Sequence, residues 1–343
     1  MPYGTLLLDA IETTGNLAIT GNVATSSFNS SNSLGMRNRI INGAMSIDQR
    51  NVGAAQTITA AAALAYTVDR WYAYCTGANV TGQRVAGTGN NQHAYRFTGA
   101  ASVTAIGFGQ RIETINCFDL SNSIATLSVE LANSLLTTVS WTAYYATTTD
   151  TFGTLASPTR TSFATGSFTV TSTLTRYSTQ ISVPAAATTG IEIVFTVGAQ
   201  TSGTWTIDNV QFEAGSVATS FERRPFGLEV ASCQRYYQKT YDLEVALGTA
   251  GVPGHVNWNW GTMATFATCT IYNKVTMRAA PTITTYRVGD GVINGYTYWG
   301  GSSDINATGT LNGFTLGTNT ITWGMDGTGR TNIVFHYIAA AEL

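Results

Sequence analysis

The chain has 343 residues, a formal net charge of −2 and 10 % charged residues, against roughly 25 % in an ordinary soluble domain. It has no Lys/Arg run, so it carries no electrostatic footprint for nucleic acid or anionic lipid. Its polar surface must be built from Thr, Ser, Asn and Gly, which suits β-structure and neutral, hydroxyl-bearing partners such as glycans. The length allows about two domains, each with its own core.

Met1-Pro2-Tyr3 opens without a basic n-region, and no apolar run approaches the ~20 residues of a membrane span. Neither secretion by a signal peptide nor membrane insertion is expected. The cysteines Cys75, Cys117, Cys233 and Cys269 form no CxxC pair and are expected to be buried free thiols.

Residues 1–36 differ from the rest. Residues 15–20 (GNLAIT) are followed at once by residues 21–26 (GNVATS), a repeat with apolar residues at matching positions. Two copies cannot bury themselves, so a β-stem covered by partner chains is expected. The polar run after it is a linker.

In residues 37–71 the Ala- and Thr-rich stretch 54–65 reads as a strand and loop leading into a strand YTVDRW at 66–71. Strands then recur at 95–97, 102–112, 125–130, 138–147, 166–170, 177–183 and 190–197, with Gly, Ser, Thr and Asn between them. That spacing predicts a two-sheet sandwich. The run from Thr204 alternates through Trp205, Ile207, Val210 and Phe212 and shifts phase at Asp208-Asn209, so it reads as the closing strand. The Gly215-Ser216 pair ends it. Residues 228–237 are the strong helical candidate of this half. Beyond it, strands at 245–247, 267–271, 274–277, 282–287, 295–299, 310–315, 320–325 and 333–338 predict a compact all-β tip.

The segments DNVQFE (208–213), ATSFERRP (218–225) and CQRYYQK (233–239) resemble a run common in tail fibres of bacterial viruses. RNRIINGAMSIDQRN (37–51) and YTVDRW (66–71) carry a second part of that resemblance, and MRAAPT (277–282) with the ending IVFHYIAAAEL resembles small fibre-tip domains. The order SFTVTSTLTRYSTQISVP, GIEIVFTVG, TWTIDNVQFE is similar to the last strands of jelly-roll carbohydrate-binding modules.

The resemblance implies an all-β chain: an N-terminal β-stem (1–36), a central jelly-roll β-sandwich (37–225), a helical linker (226–241) and a C-terminal small β-sandwich tip (242–343). It implies a virion structural protein assembled in the bacterial host cytoplasm. The homotrimer would be held to other tail or baseplate proteins through the N-terminus and would bind host cell-surface polysaccharide or lipopolysaccharide. A head fibre or decoration protein is the alternative, and a glycan-degrading tailspike a lesser one. In similar jelly rolls the last-strand aspartate, here Asp208, holds structural calcium, but Ala44 stands where the related spelling is acidic, and no metal or cofactor is expected.

The residues show no catalytic motif. His93, His255 and His336 lie far apart, and GxSxG, HExxH and phosphate-binding loops are missing. A glycosidase needs two carboxylates about 5–10 Å apart, for which Asp290 with Asp304, or Asp208 with Glu213, are the nearest candidates; turn and strand-end roles fit them better, and no enzyme is expected. Asp304 to Thr308 alternates oxygen ligands as calcium loops do, without the downstream Glu, and reads as a turn. Aromatics remain as the binding signal. Sugar C–H faces pack on indole and phenol rings, and the candidate site is Trp258, Trp260, Tyr296, Tyr298 and Trp299 in the tip. Trp258 with Trp260, and Tyr296 with Tyr298, share strand faces by parity. In the sandwich, Trp141 and Tyr145 share a core-facing side while Tyr144 points oppositely.

Overall fold

The computed structural model describes residues 36–61, 63–260, 266–299, 304–308, 315–326 and 331–343, and the expected stem lies outside them apart from Met36. In chain order the sandwich strands are β1 (Gln56–Ile58), β2 (Ala65–Tyr66), β3 (Tyr72–Thr76), β4 (Val80–Ala86), β5 (His93–Thr98) and β6 (Ala105–Ile112). There follow β7 (Ser123–Asn133), β8 (Thr138–Ala146), β9 (Arg160–Thr169), β10 (Thr175–Val183), β11 (Ile191–Val197) and β12 (Thr204–Ala214). They form two six-stranded antiparallel sheets, β1-β4-β5-β12-β7-β10 and β2-β3-β6-β11-β8-β9. This is the expected all-β jelly-roll sandwich.

Alternation builds the core. On β8, Val139, Trp141 and Ala143 are buried while Thr138, Ser140, Thr142 and Tyr144 point the other way. Between the sheets Trp71 stacks on Phe108 at 4.6 Å, Phe108 on Tyr95 at 5.1 Å, and Phe97 on Trp205 at 5.3 Å. Each such ring contributes about 1.5–3 kcal/mol by leaving water. The phase shift read in β12 is a β-bulge: its register against β7 slips between Asp208 and Gln211, and Asn209 takes a φ of +45°. The slip keeps Trp205 and Ile207 on one side of it, and Val210 and Phe212 on the other, all buried in one core.

Three local expectations are corrected. YTVDRW does not form one strand: β2 ends at Tyr66 and a turn follows, closed by Thr67 N–H to Trp71 O at 2.8 Å, with Arg70 at φ +73°. The helix, α1, runs Phe226–Gln234, starting directly after Pro225, which suits a first helical turn. Tyr237, expected to end that helix, instead opens strand β13 (Tyr237–Lys239), because pairing with the last strand buries it. Residues 245–247 and 274–277 are irregular loop rather than strand.

In the tip follow β14 (Val256–Asn259), β15 (Phe266–Tyr272), β16 (Thr282–Tyr286), β17 (Gly295–Trp299), β18 (Asp304–Thr308), β19 (Thr315–Leu316), β20 (Thr320–Asp326) and β21 (Asn332–Ala340). Strand β21 is the axis of one sheet and pairs with β13, β14, β16 and β17; β18 extends it beyond β17, and β15-β20-β19 form the second sheet. Ile321, Trp323, Ile333 and Phe335 fill the space between. The expected strand at 310–315 lies outside the described residues apart from Thr315. All of the cysteines are buried and free.

Several of the segments that carry the resemblance, 37–51, 66–71, 233–239 and the ending, meet at one seam between sandwich and tip. Glu342 pairs with Arg70 and, at 2.8 Å, with Arg50. The Arg70 guanidinium lies 3.4 Å over the Tyr236 ring and that of Arg50 lies 3.7 Å over Tyr237. Gln49 Nε2 donates to Tyr237 O at 2.9 Å, and Ala341 N–H to Tyr236 O at 2.7 Å. On the sandwich side, Arg235 and the Tyr236 hydroxyl both donate to Glu113. Asn42 ties the entry loop by donating to the carbonyls of Ile47 and Asp69, while its own carbonyl accepts from the Trp71 indole.

Candidate functional site

The structure brings four of the five tip aromatics onto one sheet face. Trp258 and Tyr298 lie in register with Ile333 between them, and the Tyr296 and Tyr298 rings are 6.3 Å apart. Ile333 belongs to the tip core, so this is the core side of the sheet; Trp260 and Tyr296 pack against that core. Trp258 is 40 % exposed, Tyr298 is half-buried, and the Trp299 side chain lies outside the described ones.

Asp208, Glu213 and Asp290 are each engaged in local structure. Asp208 and Glu213 are both buried, and Glu213 accepts from Gln211 and from Thr219 N–H and hydroxyl. Asp290 is held by Arg287, whose hydrogen bond keeps its carboxyl below the usual range. Asp304 to Thr308 is not a turn but strand β18, paired with β17, and the Asp304 side chain lies outside the described ones. His336 is buried against Tyr241 at 3.8 Å and edge-on to His255 at 5.7 Å; burial pushes its pKa down to about 4, the neighbouring His255 adding to this.

Asp208, the position of the cation ligand in similar jelly rolls, has Glu130 as its acidic neighbour. Its Oδ1 accepts from Asn209 N–H at 2.7 Å and its Oδ2 has no partner. Asn209 Oδ1 beside it is likewise buried without a partner, the neighbouring Glu130 carboxylate accepts from the Asn91 and Asn209 amides, and Arg223 gives to Asn91 Oδ1 at 2.7 Å. Burial raises Asp208 to about 8, the Asn209 N–H opposing this and Glu130 adding to it, so that without a bound cation the carboxyl holds its proton near neutral pH. Among the described residues there is no group of three His, Cys, Asp or Glu able to hold a metal.

The sequence reading missed the outward face of β2-β3-β6-β11-β8-β9. Registers across β3, β6, β11, β8 and β9 set its side chains in rows. One row is Tyr74, Gly107, Thr196, Ser140 and Ser167; the next is Tyr72, Gly109, Val194, Thr142 and Thr165. A last row is Arg111, Glu192, Tyr144 and Ser162. The glycines make room for the tyrosines: a Cβ on Gly107 would meet the Tyr74 ring at 2.1 Å, and one on Gly109 the Tyr72 hydroxyl at 2.5 Å. Both rings therefore reach across the neighbouring strand. Tyr74 and Tyr144 remain half-buried, with Val194 covered between them. An open hollow of about 600 Å³ runs past Ala105, Thr138, Ser140 and Thr196.

An ionic cluster closes one end of this face. Glu192 is fully buried and accepts from the Tyr72 hydroxyl at 2.6 Å, from Arg111 Nε at 2.8 Å and from Arg160 Nη1. Burial alone would lower Arg160, but Glu192 beside it holds the guanidinium above its ordinary pKa; burial and Glu192 together push the Tyr72 phenol well up. The Arg160 guanidinium lies 4.2 Å over the Tyr144 ring. The result is a strip of serine and threonine hydroxyls with two half-buried phenol rings, the chemistry that orients and stacks sugar rings. The legible signals were Tyr144, out of phase with Trp141, and glycines spaced two apart in β6.

No family model matches the chain, and no curated protein matches it. Among solved structures it is similar to the enzymatically active domain of tailspike protein 4 from bacteriophage CBA120, with 17 % identity and a TM-score of 0.31 over 52 % of this chain. The match spans only 21 % of that tailspike chain. It is also similar to the family 11 carbohydrate-binding module from Clostridium thermocellum, solved with a β-1,3-1,4-mixed-linked tetrasaccharide (14 % identity, 46 % of this chain, 97 % of that one, TM-score 0.30). A further match is the CBM22-2 xylan-binding domain from Paenibacillus barcinonensis Xyn10C (15 % identity, 43 % and 92 %, TM-score 0.29).

Proposed function

We propose that the chain is a glycan-binding fibre protein of a bacteriophage, acting by adhesion and without catalysis. One observation carries the glycan reading: the hydroxyl-lined outward face of β3-β6-β11-β8-β9, with Tyr74 and Tyr144 standing over it. The six steps along β8 from Thr138 to Tyr144 span ~20 Å at ~3.4 Å each, room for an extended oligosaccharide rather than one sugar. The fibre assignment is supported by the sequence segments at 37–51, 208–225 and 233–239. The N-terminal segment attaches the protein to the particle, and copies associate about a three-fold axis. Weak sites repeated on one particle then act together, because each further binding event is effectively intramolecular.

The test is binding of the full chain, fluorescently labelled, to candidate host cells before and after periodate oxidation of their surface glycans. Periodate should abolish binding, and Tyr74→Ala with Tyr144→Ala should weaken it at an unchanged melting temperature. Binding that survives periodate refutes the glycan reading. Release of reducing ends from the bound polysaccharide refutes the non-enzymatic one.

A further inference from the structure

The two arginines at the closed end of the outward face are used differently. Arg111 is saturated: Nε donates to Glu192 at 2.8 Å, Nη1 to Leu343 O at 2.6 Å and Nη2 to Gly153 O at 3.0 Å. It is a strut between β6, the loop after β8 and the chain's last residue. Arg160, at the start of β9, gives only Nη1 to Glu192 and lays its plane against Tyr144. Its Nε and Nη2 make no hydrogen bond among the described residues, and neither is among the buried orphan atoms, so both meet solvent. Those two nitrogens form the side-on fork of a guanidinium, whose parallel N–H groups match the two oxygens of a carboxylate. The fork is held ready: Glu192 anchors one corner, the Tyr144 ring fixes the plane, and the side chain is 12 % exposed. Little rotamer freedom remains to be lost on binding.

We infer that this face selects acidic glycans, the carboxylate of a uronic or ulosonic acid residue docking side-on on Arg160 while the sugar chain lies along Tyr144 and Tyr74. This rests on the glycan reading above and adds the class of sugar. Arg160 is then the specificity-determining residue, and Glu192 and Tyr144 position it.

The experiment measures binding of the full chain, by affinity electrophoresis, to polygalacturonate, alginate, hyaluronan and polysialic acid. Each is paired with its carboxyl-reduced counterpart, in which every carboxylate has become a neutral CH₂OH. At least one acidic polymer should bind, and its reduced form about tenfold or more weakly, the scale of a charge-assisted bond to a fixed partner. Arg160→Lys keeps a positive charge beside buried Glu192 but has no fork. It should bring acidic and reduced polymers to the same weak level at an unchanged melting temperature. Arg160→Gln should do the same, with any loss of stability read separately by thermal unfolding. Equal binding of an acidic polymer and its reduced form overturns the inference and leaves the glycan reading standing. So does full binding by Arg160→Lys. Retention of none of the acidic polymers overturns the inference, and if cell binding also survives periodate the glycan reading falls with it.

Discussion

Asp208→Asn is expected to stabilise the protein at neutral pH, which is unusual for a fully buried polar side chain in the closing strand. The side chain is fully buried, Oδ1 accepts a single backbone N–H, and Oδ2 has no partner. Its pKa rises from 3.8 to about 8, burial outweighing the Asn209 N–H that opposes it and Glu130 adding to the rise. The folded state therefore keeps a proton that the unfolded chain has released. The stability this provides is complete below pH ~4 and is lost as pH rises towards ~8. Each pH unit in that window costs about 1.36 kcal/mol, so at pH 7 the wild type gives up on the order of 4 kcal/mol. Asparagine has the same shape and does not titrate. Asp208→Asn should match the wild type near pH 4 and melt higher at pH 7 to 8, by about 10 °C at the usual 2–4 °C per kcal/mol for a domain of this size. Thermal unfolding of both proteins at each pH from 4 to 8 measures it. A variant less stable than the wild type by the same margin throughout refutes the reasoning, because the carboxylate would then be ionised and satisfied. So does a wild-type midpoint that rises with added Ca²⁺ while that of the variant does not, since Asp208 would then be a ligand.

Glu342→Gln leaves Arg70, whose side chain is 1 % exposed, without its counter-ion at the seam. Breaking a buried pair in this way costs about 3–5 kcal/mol, so calorimetry should show a lower or split transition, and proteolysis a faster cut between α1 and β14. Gly107→Ala puts a methyl into the Tyr74 ring; it should cost about 1–3 kcal/mol and weaken cell binding further than stability alone explains. Trp260 packs on the tip core and Trp258 is 40 % exposed, so Trp260→Ala should lower the melting temperature clearly, by about 3 kcal/mol or more, and Trp258→Ala slightly. Loss of cell binding by Trp258→Ala alone would add the tip as a second glycan-binding surface.

How much of this was legible depended on whether a residue's role was set locally. The bulge in β12 was visible because one strand carries its own phase in the spacing of Trp205, Ile207, Val210 and Phe212. The strands with clean alternation, β8 and β10 among them, were visible for the same reason. The turn at 67–71 was not, because it needs Arg70 at positive φ, and what stabilises Arg70 there is Glu342, 272 residues away. Tyr237 reads as helical beside Gln234 and becomes a strand only because β21 arrives to pair with it. Short β1 and β4 carry glutamine, glycine or arginine where alternation would show, and β3, YAYCT, is apolar on both faces; their pairing is likewise decided by neighbours far along the chain.

The same division separates the two kinds of important residue. The runs at 37–51, 66–71 and 233–239 stand out as words because they meet at one crowded joint, where stacked guanidinium groups, buried amides and a glutamate must fit together at once. A change to Arg50, Arg70, Tyr236 or Glu342 disturbs all the others. The outward face of β3-β6-β11-β8-β9 is constrained only in part: the fits of Gly107 to Tyr74 and Gly109 to Tyr72 and the Glu192 cluster with Tyr72, Arg111 and Arg160 are tightly set, while the serines and threonines of its rows are half-buried or exposed. A recognisable sequence therefore marks how the tip is held to the sandwich, while the surface proposed to bind a ligand is spelled in Ser, Thr and two tyrosines. Substitutions among the exposed hydroxyls of that surface leave the joint undisturbed, which the proposed adhesin role would use.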